Sequence, residues 1–372
     1  MKKKLICSIL MLIIILSVGL VSCSKPAEHI GTDAEYLVIH SRSREESSGM
    51  FCIDSNGAVT EKLKNSKMQD LSFFSFDDNK LIVSGGRRNN NMLFDLKDKG
   101  VYSEVHWLNN PEYSGVNAVE LLDNSALAIM NGNYTDTTYL NLVVEQGYDG
   151  SVIQQSEIEL YTRDVWVLDN TAKLVGKHLS RSNNTDAWKA SIIDYNVSEQ
   201  KITQQYDYSE YNCFWEIIET DPIIYCLAED SSERINTICA INKSTFEIEK
   251  QLQIEDQLCG LYLDGNTLYA VGNSSIYEVQ ADTLTKKASN SHDITTDGFV
   301  DWAYVYGGHY YVMFRYDQRV KDGNVYEYGI LLKVSLETFD KAETPIRYDK
   351  RTTMDDIIVF PAEMFENREQ EV

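Results

Sequence analysis

The chain has 372 residues, with 57 acidic against 34 basic side chains and a formal charge of −23 at pH 7. That length is ample for a full hydrophobic core. The charge excludes nucleic acid as a partner, because neutralising phosphates takes basic stripes; cationic partners, divalent ions or plain solubility suit it better. At the N-terminus, Lys2, Lys3 and Lys4 precede an apolar run from Leu5 to Leu16, and Leu20-Val21-Ser22-Cys23 follows. A basic start, a short apolar core and small residues before a cut make a secretory signal rather than a lasting membrane span.

The last four of these residues resemble the bacterial lipobox. The resemblance implies cleavage before Cys23, lipid attachment at Cys23, and a protein held on a cell membrane and facing the extracytoplasmic side. Residues 1–22 are then the signal and residues 23–34 a polar tether. Loss of three lysines takes the mature charge to −26. Cys52, Cys213, Cys226, Cys239 and Cys259 remain. An odd number is no disulfide framework, and their apolar settings read as buried free thiols, with Cys226 and Cys239 placed to face each other across one hairpin.

From Glu35 onward short β-branched and aromatic runs recur between Asp, Asn, Gly and Ser turns. One hairpin type reads apolar strand, tight turn, apolar strand. It starts at Leu71, Val116, Val165, Phe214, Leu261 and Trp302. A second type, with a more polar outer strand, lies near Ile53, Phe94, Val144, Ile193, Ile241, Val279 and Val334, at spacings of 38 to 55 residues. Two hairpins per unit make a four-stranded antiparallel sheet, and a regular period of this size marks a repeat fold. The first unit lacks an inner strand, and a spare strand stands at Met354–Phe360. The fold is therefore read as all-β, a seven-bladed β-propeller over residues 35–360 whose first blade is closed by the C-terminal strand. Residues 361–372 are read as a polar tail. The architecture resembles the quinoprotein-like and WD40-like propellers, although the Trp-Asp dipeptide does not recur.

Counting back eight residues from the second strand of each inner hairpin reaches Phe73, Val119, Trp166, Trp215 and Trp302. That count puts three tryptophans at one position on the inner strands, where they would either grip a peptide or sugar or pack between blades. Asp70, Asp164, Asp256, Asp301 and the pair Asp355-Asp356 stand near the starts of inner strands, either as an acidic funnel or as turn caps. The candidate binding set is Trp166, Trp215, Trp302, Asp164, Asp256 and Asp301. Asp293–Gly298 partly matches a calcium loop but lacks the closing Glu and the flanking helices, so it is read as a turn and metal binding stays open. No nucleophile elbow, zinc-protease helix or phosphate loop occurs, and no cofactor is expected.

The expected function is a lipid-anchored binding or scaffold module, a monomeric propeller whose rim takes an exported protein or peptide. The alternative is an extracytoplasmic glycan hydrolase or lyase, with paired carboxylates such as Asp301 and Asp164 in the funnel.

Overall fold

The computed structural model describes residue 30 and residues 34–365, apart from short stretches at 43–44, 64–67, 88–89, 98–100, 107–112, 114, 183–184, 295–297, 323–324, 350–351 and 353. Residues 1–22, read above as a signal, Cys23 and nearly all of residues 24–34, read as a tether, lie outside the described residues.

Seven four-stranded antiparallel sheets follow one another around a ring. Blade 1 joins Asp356–Pro361 to Tyr36–Arg42, Glu45–Ile53 and Val59–Lys62, so both ends of the propeller share one sheet. The innermost strands of blades 2 to 7 are Leu71–Phe76, Val116–Leu121, Tyr161–Leu168, Cys213–Glu219, Leu258–Asp264 and Phe299–Tyr306. The all-β fold, the seven blades and the closure by the C-terminal strand are as the spacing of hairpins predicts. The packed chain runs a little further than expected. Pro361 is paired with Tyr36, and a short 3-10 helix, Ala362–Phe365, buries Met364 and Phe365.

The composition of each strand explains its place. The second strand of each blade is sandwiched between blades and reads as a near-continuous apolar run, as in Lys80–Gly85 and Ile223–Glu229. The fourth strand faces solvent and is polar, as in Lys201–Tyr208. The inner hairpins of blades 2 to 6 close on turns that contain Asp, and that of blade 7 on Gly307-Gly308. Asp77, for example, accepts the amides of Asn79 and Lys80 at 2.6 and 2.7 Å, which satisfies backbone donors that the turn would otherwise leave bare. Cores form between blades. One joins Val175 and Ile192 of blade 4 to Phe214 and Ile217 of blade 5, and another joins blade 1 to blades 2 and 7 through Leu37, Phe51, Leu81, Tyr311 and Phe360. The five cysteines are free, four of them buried, and Cys226 pairs directly with Cys239 across the hairpin.

One feature recurs that no pattern of hydrophobicity announces. Each innermost strand of blades 2 to 7 carries a β-bulge near its start, and the extra residues are Ser72, Asn117, Arg163, Trp215, Cys259 and Asp301. A bulge leaves one residue unpaired and re-aims its side chain. In blades 2, 4 and 6 the residue before the bulge pairs with a glycine: Gly85, Gly176 or Gly272. At Gly176 an added Cβ would stand 2.1 Å from the Tyr161 carbonyl oxygen. Gly176→Ala is expected to lower stability by about 1–3 kcal/mol through overpacking. Urea unfolding checks this, and an unchanged midpoint would show that the bulge tolerates the methyl group.

Candidate functional site

The bulges build the site. At the front of the propeller, where the innermost strands begin, the bulge residues of four successive blades, Arg163, Trp215, Cys259 and Asp301, line one cavity of about 500 Å³. Asp164 and Glu216 add carboxyls to its wall, and Gln257 and Asn273 add amides. Phe299, 48% exposed, stands at its edge. Of the six residues the sequence singles out, the fold brings Trp215, Asp164 and Asp301 together here. Trp166, Trp302 and Asp256 do not line the cavity.

The three tryptophans occupy three register positions rather than one. Trp215 is the bulge residue, Trp302 follows a bulge by one, and Trp166 follows one by three. Counting by eight misses this because the apolar residue it counts from stands at different distances from a two-residue turn. Ile223 directly follows its turn, whereas Leu174 stands three residues beyond Thr171, the first residue after its own. Trp166 packs against the core between blades 4 and 5. Trp302 stacks on Tyr304, with ring centroids 5.4 Å apart, and donates its indole N–H to the Ile357 carbonyl at 2.6 Å. Trp215 packs one edge on the core between blades 5 and 6, donates its indole N–H to Glu229 Oε2 at 2.6 Å, and carries the Arg163 guanidinium 3.8 Å from its ring centroid.

The acidic rim is largely spoken for by its neighbours. Asp256 accepts the Gln257 and Ser274 amides, the Ser274 hydroxyl and the Tyr277 hydroxyl at 2.7–2.9 Å. Asp70 accepts from Arg87 Nε at 2.5 Å. Asp301 stands 3.3 Å from Arg315 Nε, and Asp356 accepts from the Ser41 hydroxyl at 2.7 Å. Burial raises the Asp301 carboxyl above its ordinary range, with Arg315 opposing, and pushes Asp356 up to about 6.

The position after the bulge has a different task. Asp164 Oδ2 accepts the Ile217 amide of blade 5 at 3.0 Å, and Glu216 Oε2 accepts the Leu261 amide of blade 6 at 2.8 Å. Trp302, at the same position in blade 7, reaches the carbonyl of Ile357 in blade 1. These side chains clamp the inner strands of blades 4, 5 and 7 to the blade that follows. Glu120, two positions further on in blade 3, accepts from the Ser75 hydroxyl of blade 2 at 3.0 Å. Burial pushes Asp164 up to about 6 and Glu120 up to about 8, and it raises Glu216 well above the usual carboxylate range, with the nearby Asp164 charge adding to it.

A cation is therefore prominent in a cavity that the sequence paints as acidic. The Arg163 guanidinium lies 4.6 Å from the Tyr161 ring centroid as well as 3.8 Å from Trp215, and its buried Nε has no hydrogen-bond partner among the described residues. Arg163, Glu216 and Phe299 escape a sequence reading because the bulge that aims the first has no composition of its own. Among the described residues no group of three or more His, Cys, Asp or Glu converges to hold a metal. Residues 295–297 of the Asp293–Gly298 loop lie outside the described residues.

No family model matches the chain, and no curated protein matches it either. Solved structures do. The periplasmic gluconolactonase of Pseudomonas aeruginosa superposes with a TM-score of 0.56 at 11% identity, covering 88% of this chain and 99% of its own. The WD40 β-propeller domain of Doa1 gives 0.49 at 11% identity over 78% of this chain and 90% of its own. Apo AztD from Citrobacter koseri gives 0.45 at 10% identity over 87% and 89%. Likeness at such identity shows the fold alone. A β-propeller fits a protein-binding scaffold, and it also carries a hydrolase such as that gluconolactonase.

Proposed function

We propose that the chain is a lipid-anchored, extracytoplasmic scaffold, a monomeric propeller that binds an exported protein or peptide at the front of the ring. The observation that carries this reading is the front cavity, where bulges from four blades aim Arg163, Trp215, Cys259 and Asp301 at one space on a closed frame. Clefts with a few convergent polar groups in an apolar wall are the usual form of a binding site. Anchoring rests on Lys2–Lys4, the apolar run and the Leu20–Cys23 sequence. Against the glycan hydrolase or lyase stands the use of Asp164, both of whose oxygens accept backbone amides, and of Glu216, whose Oε2 accepts the Leu261 amide of the next blade. A general acid or nucleophile needs those oxygens for substrate.

In-cell crosslinking of the full chain tests the reading. The wild type should capture a discrete protein. Trp215→Ala should weaken capture by about 2 kcal/mol or more, the scale of an aromatic anchor, whereas folded Trp166→Ala should keep it. No captured protein, or equal capture by Trp215→Ala, overturns the proposal.

A further inference from the structure

The front face of blades 3 to 5 carries a strip of alternating rings and cations that runs into the cavity. It starts at Tyr134, 58% exposed at the end of the second strand of blade 3, whose ring meets Trp188 edge-on at 6.3 Å. Lys177 Nζ lies over Trp188 at 4.6 Å and over Tyr161 at 5.5 Å. Arg163 follows, between Tyr161 and Trp215. Blade 4 makes this possible by its length. Its two central strands, Thr171–Ser182 and Thr185–Asn196, have 12 residues each, against 6 for the corresponding pair in blade 6. Tyr161, the first residue of the inner strand, pairs with Lys177, so the rest of the hairpin overhangs the front.

Both cations stand against the sign of a chain whose charge is −23. Each has an aromatic face beside it that removes water without supplying a counter-ion. The planar donors of a stacked guanidinium suit a carboxylate; Arg163 Nε is buried without a partner among the described residues, and the side chain set beside the guanidinium as an acceptor is the weakly accepting Cys213 thiol. Two acids of this region are committed elsewhere: Glu229 to the Trp215 indole, Asp164 to Ile217 and Val165. Rings spaced between cations fit an extended chain whose side chains alternate between apolar contact and negative charge.

We infer that this strip is the docking track for an extended acidic peptide segment of the partner, with Lys177 and Arg163 reading its carboxylates and Tyr134, Trp188 and Trp215 supporting its apolar side chains. The inference rests on the binding reading above and names the partner's chemistry. A basic segment would meet Lys177 and Arg163 as like charges, and a neutral glycan would use the rings and leave both cations unpaired.

The test uses the full lipidated chain in detergent with three fluorescent probes: a dodecapeptide of alternating Glu and Leu, its Lys–Leu counterpart, and maltohexaose. The Glu–Leu peptide should bind, weaken as salt rises, and quench tryptophan emission. Lys177→Gln and Arg163→Gln should each weaken it about tenfold, and Arg163→Lys should recover part of that loss. Preference for the Lys–Leu peptide or for maltohexaose, or unchanged binding in a folded Lys177→Gln variant, overturns the acidic-segment inference. Crosslinking in cells separates the two levels. Capture lost in Trp215→Ala but kept in the two Gln variants leaves the scaffold and removes the acidic chemistry. Capture unaffected by all of them removes both.

Discussion

A chain ending at Met354 should fail to fold as a monomer. The strand Asp356–Pro361 supplies Ile357, Ile358, Val359 and Phe360, all at most 3% exposed, to the core shared by blades 1, 2 and 7. Burying four such side chains contributes roughly 6–12 kcal/mol, the scale of a whole domain's stability, about 5–15 kcal/mol. The strand also pairs along Tyr36–Ser41, and its carbonyls accept from the Trp302 indole at 2.6 Å and the Tyr304 hydroxyl at 2.8 Å. Without it, Tyr36–Arg42 becomes an open sheet edge beside exposed apolar residues, a template for aggregation. The expected result is a truncated protein that aggregates or shows no near-ultraviolet dichroism, and that a synthetic peptide of residues 355–365 partly restores. A soluble truncated protein with the wild-type melting temperature would show that the ring does not depend on its closing strand.

That closure could be read from the sequence, and the reason is physical. Apolar hairpins with Asp, Asn or Gly turns repeat often enough to be counted, and a count that leaves one strand over at the far end has one economical solution. Burial follows the same logic, since the middle strands are apolar on both faces and the outer ones are not. The site is less legible. Ser72, Asn117, Arg163, Trp215, Cys259 and Asp301 hold one structural position, yet they share no size, charge or polarity, because an unpaired residue is not held to the pattern of its sheet. The extra residue also shifts every later side chain by one, and a one-residue shift exchanges the faces of a strand. Trp166, Trp215 and Trp302 look equivalent when counted from the second strand, yet they stand three, zero and one residues past the bulge. The usable signal was Gly85, Gly176 and Gly272, small residues that pair with the start of the bulge, with the Tyr161 backbone close against Gly176 and the Asp256 side chain close against Gly272.

The clamps between inner strands should make this protein more stable in mild acid than in mild base. Glu120 is pushed up to about 8 from 4.5, and Asp164 and Asp356 up to about 6 from 3.8, each chiefly by burial. A carboxyl raised in the fold binds its proton more tightly there than in the unfolded chain, so its contribution is complete below the unfolded value and is lost as pH rises through the folded one. For Glu120 that window is 4.5 to about 8, and for the two aspartates 3.8 to about 6. His40 works the other way. Burial lowers it from 6.5 to about 4, so its contribution is present above 6.5 and lost as pH falls toward 4. Between pH 8.5 and 6.5 Glu120 acts unopposed; below 6.5 the aspartates gain while His40 costs. The melting temperature should therefore rise by several degrees from pH 8.5 down to about pH 5, where the carboxyls still outweigh His40, with Glu120 alone contributing on the order of 3 kcal/mol at one pKa unit per 1.36 kcal/mol. Glu120→Gln keeps an oxygen for the Ser75 hydroxyl and carries no charge. It should flatten the limb between pH 6.5 and 8.5 while leaving the aspartates' rise below pH 6 in place. An unaltered slope in that variant would mean that Glu120 is ionised inside the ring at neutral pH, and that the clamps hold the blades together through charge rather than through neutral hydrogen bonds.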